Sequence, residues 1–105
     1  MTRRAWRFLL TEGATRQAEE IAGWWTSNRP EVRDLFADEL ERSLRRLLVL
    51  PHSGSTYLHP DLPGLRRVLL RTTRYHLYYS VNEPGRVVTV HGLWHTARGS
   101  HPELD

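Results

Sequence analysis

The sequence predicts an α/β protein of the α+β kind: a two-layer sandwich with a helical hairpin packed on one face of a mostly antiparallel four-stranded sheet. Three observations predict it. Apolar residues recur at helical spacing between residues 12 and 50, they alternate at strand spacing before and after that span, and only three residues part the two helical stretches. The order is β-α-α-β-β-β, and a single helical layer over a single sheet satisfies it most simply.

The first element, residues 3–11, carries Trp6, Phe8 and Leu10 on one side and reads as a strand. From Glu12 the period changes to that of a helix, with Ala14, Ala18, Ile21, Ala22 and Trp25 on one stripe. Thr11 is the expected N-cap. Asn28-Arg29-Pro30 ends this helix, because the residue before proline is pushed out of the helical region. A second helix is expected over about 32–50, its apolar stripe formed by Leu35, Phe36, Leu40, Leu44, Leu47 and Leu48. Asp38 with Arg42 and Glu41 with Arg45 are spaced to pair on its wet face. Residues 51–64 hold three prolines and two glycines and read as a loop. Strands follow over 65–71, 74–81 and 85–95, joined by Thr72-Thr73 and by the turn Asn82-Glu83-Pro84-Gly85.

Strand period assigns the faces. Tyr75, Leu77, Tyr79 and Val81 should meet the helices together with Val68 and Leu70, leaving Arg67, Leu69, Arg71, His76 and Tyr78 on the open face. Arg66 has core-side parity but lies at the rim. Gly92 interrupts the last strand, and a bulge there would turn Leu93 inward and Trp94 outward.

The chain has 105 residues, 39% of them hydrophobic and 26% charged, which fits one globular domain over 1–105. It has no long apolar tract and no cysteine, so a soluble cytoplasmic protein is expected, without a disulfide frame or a thiolate metal site. Every one of the fifteen cationic side chains is arginine. Their placement is uneven. Residues 12–50 hold six Arg against eight acids, net −2, whereas residues 65–100 hold six Arg against one Glu, net +5. A basic face beside aromatics is expected to meet an anion, either nucleic acid or an acidic protein segment.

His95 and Arg98 form the sharpest candidate pair: an imidazole that could serve as general acid or base for RNA cleavage, with a guanidinium to hold a phosphate. The competing reading is a histidine that caps the end of the sheet. Arg66, Arg67, Arg71 and Arg74 are candidate contacts for phosphates or for a partner's carboxylates, with His76, Tyr78 and Trp94 beside them on the open face. Tyr79 fits the core better than a catalytic role. Trp24, next to the buried Trp25, is a candidate protein contact or a residue partly covered by the hairpin. His91 and His95 lie about 13 Å apart on a strand, too far to share a metal, and no cofactor motif is present. No metal and no cofactor are expected.

Helix two ending in "LLVLPHSG", then "LPGLRRVLL", "YHLYYSV" and "VVTVHGLWHTAR", in this order and spacing over residues 5–98, resembles the toxin superfamily of bacterial type II toxin-antitoxin systems that contains RelE and ParE. The resemblance implies a toxin neutralised by a cognate antitoxin, in a hetero-oligomer with it. It implies one of two targets: DNA gyrase for ParE-like members, or mRNA in the ribosome for RelE-like endoribonucleases. For a nuclease the candidate catalytic set is His95, Arg98, Arg66 and Tyr79. The chain lacks the lysines that several RelE-like enzymes use, while "LPGLRR" and the His-x-x-Arg of "WHTAR" look more like ParE, so the ParE-like role is favoured. A binding module of the same fold without toxicity is the third class.

Overall fold

The computed structural model describes residues 5–99 and 101–105. Strand β1 (Arg7–Leu10) leads into helix α1 (Glu12–Asn28), a short 3-10 turn (Pro30–Val32) and helix α2 (Leu35–Val49); β2 (Ser55–Thr56), β3 (Arg66–Leu70), β4 (Tyr75–Asn82) and β5 (Val87–His95) follow. The sheet order is β1-β5-β4-β3-β2, with β1 parallel to β5 and every other pair antiparallel. The sheet thus has five strands rather than four. The extra one, inside the loop expected over 51–64, pairs Ser55 and Thr56 with Arg67 and Arg66. Two residues carry no period, so pattern reading passes over them. Arg3 and Arg4, at the start of the first expected strand, lie outside the described residues.

Thr11 caps α1 as expected, its Oγ1 accepting the N–H of Ala14 at 3.1 Å. Pro30 starts the 3-10 turn, and α2 begins at Leu35, three residues later than the pattern suggests, because the short connection needs the tighter turn. Arg45 and Glu41 pair at 2.8 Å, whereas Asp38 and Arg42 form no ion pair.

The core lies between the hairpin and one sheet face. Ala14, Trp25, Phe36, Leu44 and Leu47 pack against Leu70, Leu77, Tyr79, Val88, Val90 and Leu93, with Tyr75 and Val81 at the margin. Each large side chain buried this way contributes roughly 1.5–3 kcal/mol. The bulge is where Gly92 suggests: Tyr78 faces Gly92 while Tyr79 faces Val90, so His91 is the additional residue. Leu93 consequently turns into the core and Trp94 pairs with His76 on the open face.

Gly92 also makes room for the end of the chain. A Cβ there would stand 2.6 Å from Leu104 and 3.0 Å from both the Gln17 side chain and the Glu103 carbonyl. The tail is tied down on that spot: Gln17 Nε2 donates to the Glu103 carbonyl, Asp105 N donates to the His91 carbonyl, and Asp105 Oδ2 accepts the Gly13 N–H at the start of α1.

Candidate functional site

The open face of the sheet carries the candidate residues, and β4 lies at its centre. His76 on β4 stands between Leu69 of β3 and Trp94 of β5, and Tyr78 stands between Arg67 and Gly92. A cavity of about 220 Å³ is lined by Arg67, His76, Tyr78, Trp94, His95 and Arg98, together with Tyr57, Thr96, His101 and Pro102. Six of the residues singled out in the sequence therefore meet in one place. Tyr57, from the loop, and His101, from the tail, are the ones that pattern reading misses.

At the β5 end, the Arg98 guanidinium lies 3.9 Å from the centre of the Trp94 ring, and His95 meets Tyr75 edge-on with centroids 4.9 Å apart. His95 Nδ1 accepts the Ala97 N–H at 3.0 Å, so in the neutral ring the proton sits on Nε2. At the β3 side, the Arg67 guanidinium lies 5.1 Å from the Tyr57 ring centre, and Tyr57 packs edge-on against Tyr78 at 4.9 Å. Tyr78 is only 3% exposed, so it supports the cavity floor and offers little surface. Burial pushes the His76 imidazole down, and the positive charges of Arg67 and Arg74 push it the same way. Both effects favour the neutral ring.

A second cleft, of about 670 Å³, shares Arg67 and His76 with the first and adds Arg71, Arg74, Val68, Leu69, Ser53, Gly54 and Ser55, with Ser43, Arg46 and Leu47 from α2. Arg74 adopts a left-handed backbone, φ 69°, at the turn between β3 and β4. Arg46 is not among the residues singled out in the sequence. It joins the site only because the end of α2 runs past β3.

Arg66 and Tyr79, the other two members of the candidate catalytic set, line neither of these cavities. Tyr79 is fully buried; its hydroxyl donates to the Pro51 carbonyl and accepts the Gly54 N–H, both at 2.8 Å. Burial raises the phenol further above its ordinary pKa, so it holds its proton. Arg66 Nη1 donates to the Gly54 carbonyl at 2.8 Å and to the His52 carbonyl at 3.3 Å. The two side chains brace the 51–56 loop from below. Trp24 is 51% exposed and touches Trp25 edge-on, while Trp25 is 9% exposed.

Among the described residues no group of three His, Asp or Glu could hold a metal ion. No helix among the described residues is long and apolar enough to cross a membrane. What the face presents is a row of guanidinium groups, aromatic rings suited to stacking, and the imidazoles of His76, His95 and His101. Groups of this kind are suited to contacts with anions.

The same architecture recurs in solved toxins. A chromosomal ParDE system from P. aeruginosa superposes with a TM-score of 0.69 at 14% identity, covering 87% of this chain and 96% of that one. The E. coli RelBE toxin-antitoxin complex gives 0.62 at 22% identity, with 90% and 100% covered, and the RelBE2 complex from Mycobacterium tuberculosis gives 0.60 at 18%, with 88% and 99% covered. At such identities the likeness is one of fold. No curated protein sequence matches the chain. The family model and the shared fold together define a toxin of the RelE/ParE superfamily. The chain belongs to the ParE family, matching over residues 8–99 the model described as the ParE toxin of the type II toxin-antitoxin system parDE.

Proposed function

We propose that this chain is a ParE-like toxin, held in check by a cognate antitoxin, that stops growth by binding DNA gyrase rather than by cutting RNA. The family match supports the toxin, and one structural observation supports binding over chemistry. Of the four residues a nuclease centre would draw on, Tyr79 and Arg66 are committed to the 51–56 loop. Of those four, the His95 imidazole and the Arg98 guanidinium, stacked on Trp94, remain. Cleavage at a ribose 2′-OH needs a proton acceptor for the attack and a donor for the leaving oxygen, and His95 alone supplies one at a time. The antitoxin part of the reading draws on the solved relatives, described as ParDE and RelBE systems, and on the unbalanced positive charge of the face.

The alternative is a ribosome-dependent endoribonuclease, and the first cavity favours it. His95, His76 and His101 share it with Arg67, Arg98 and two rings on which bases could stack. Induced expression without the antitoxin separates the two. Filamenting cells with a DNA-damage response and intact bulk mRNA are the expected result. Messages cut in phase with codons, without DNA damage, would reverse the ranking.

A further inference from the structure

Strand β5 outlasts its neighbour. β1 pairs with Val87–Val90 only, and the chain then turns into α1 at Thr11, so on that side no described strand lies beside Leu93–His95. Gln17, Glu20 and Trp24 recur along one side of α1 and overhang the gap. With Tyr75 from the sheet and Glu103 from the tail they line a cleft of about 510 Å³. Trp94, His95 and Arg98 form the ridge between it and the cavity on the open face, since they line both.

The walls of this cleft are fixed. The Gln17 amide spans the gap, its Nε2 donating to the Glu103 carbonyl at 2.8 Å and its Oε1 accepting the Leu93 N–H at 2.9 Å. Beyond it, Asp105 is held by the Gly13 N–H and by the His91 carbonyl, so the tail that carries Glu103 is anchored on both sides. Trp24 is half-exposed and Tyr75 half-buried, which leaves ring surface open to the space. Glu20 and Glu103 are exposed, and neither belongs to an ion pair among the described residues. Against two carboxylates stands one guanidinium, that of Arg98, laid on the Trp94 ring.

We propose that this cleft receives an arginine side chain of the protein that the toxin binds, its guanidinium stacking on Trp24 and meeting the carboxylates of Glu20 and Glu103. The proposal rests on the reading of a toxin that acts by binding a protein and specifies which chemistry the target presents. A planar guanidinium answers both parts of the cleft, because its face stacks on a ring while its fork of N–H donors meets carboxylates. A phosphate backbone is repelled by the two acids, so nucleic acid does not fit here. An apolar side chain would desolvate the acids and pair neither of them. A second copy of this chain has arginines to offer, but those of its basic face would meet this cleft head to tail, a contact that does not close into a dimer.

The test titrates the full chain with N-acetyl-arginine methylamide and follows the Trp24 indole N–H by nuclear magnetic resonance. A saturable shift is expected, weakened in Glu20→Gln, and the uncharged citrulline analogue should bind roughly tenfold more weakly. Purified gyrase is then titrated with the native chain and with Trp24→Ala and Glu20→Arg variants of unaltered circular dichroism. Each variant should bind it roughly tenfold or more weakly. No shift with the arginine probe, or an equal one with citrulline, overturns the proposal whether or not gyrase binds. A probe that binds while native chain and variants hold gyrase equally well also overturns it, and leaves the gyrase reading standing. A probe that binds while gyrase ignores the native chain upholds the cation site and overturns gyrase as the target. A stronger Trp24 shift with an oligothymidylate assigns the cleft to nucleic acid, and self-association lost in Trp24→Ala assigns it to a second copy; either result overturns the proposal.

Discussion

Glu39 on α2 holds Thr73 by two atoms, accepting its N–H at 2.9 Å and its hydroxyl at 2.7 Å, and takes the N–H of Thr72 at 2.7 Å as well. One carboxylate thereby closes the turn between β3 and β4 and fastens it to the helical layer. The turn carries Arg71 and Arg74, so the clamp sets the end of the basic cleft.

Replacing Glu39 with Ala should cost about 1–3 kcal/mol, because the Thr73 N–H and hydroxyl are buried and would lose their acceptor. Urea unfolding measures it. The cost should depend on pH. Burial would raise the Glu39 pKa, but the hydrogen bonds from Thr72 and Thr73 outweigh it and bring the value below 4.5. A carboxylate with a depressed folded-state pKa stabilises fully above its unfolded value and progressively less as the pH falls through the folded one. The gap between the native protein and Glu39→Gln should therefore be widest near pH 7 and shrink below about pH 4.5. A gap constant down to pH 3 would show that the clamp is not ionic.

Tyr79→Phe removes a donor to Pro51 and leaves the Gly54 N–H buried without its partner. A loss of about 1–3 kcal/mol is expected, with proteolysis of the 51–56 loop accelerated. Growth inhibition at a temperature where the variant is folded should persist. Lost inhibition by a folded variant would return Tyr79 to a chemical role.

Gly54→Ala should destabilise through the same joint. A Cβ at that position would come within 2.5 Å of the Tyr79 hydroxyl and 2.9 Å of the Arg67 carbonyl. Neither can retreat, since the phenol is buried and the carbonyl belongs to a paired strand, so a cost of about 1–3 kcal/mol is expected in thermal or urea unfolding.

Arg98→Ala removes the cation stacked at 3.9 Å on Trp94 while the side chain itself is exposed, so the fold should lose no more than about 1 kcal/mol. Inhibition should weaken if the rim meets the target. His95→Gln beside it discriminates the mechanisms: a binding toxin should tolerate the change better than Arg98→Ala, whereas a nuclease should lose activity with His95. Growth curves at matched expression, with RNA integrity followed in parallel, compare the two.

The sequence by itself determined the elements other than β2, and the faces of the central strands, because period, capping and turn chemistry act over a few residues. Thr11 and Pro30 bound α1 where their local chemistry demands, and Gly92 announced the bulge that turns Leu93 inward and Trp94 outward. The same alternation placed Arg67 and His76 on the open face. Only the tertiary structure decided which of these residues work together. Tyr57 reaches Arg67 and Tyr78 because the proline-rich loop folds back as the two-residue β2, and Arg46 faces Arg71 because α2 ends over the β3 edge. Glu39 clamps threonines more than thirty positions away. Tyr79 and Arg66 hold the 51–56 loop for the same reason, since the backbone groups they satisfy lie far from them in the sequence. Local pattern reports which way a side chain points, but the loop that crosses the sheet and the register of the layers decide what it meets.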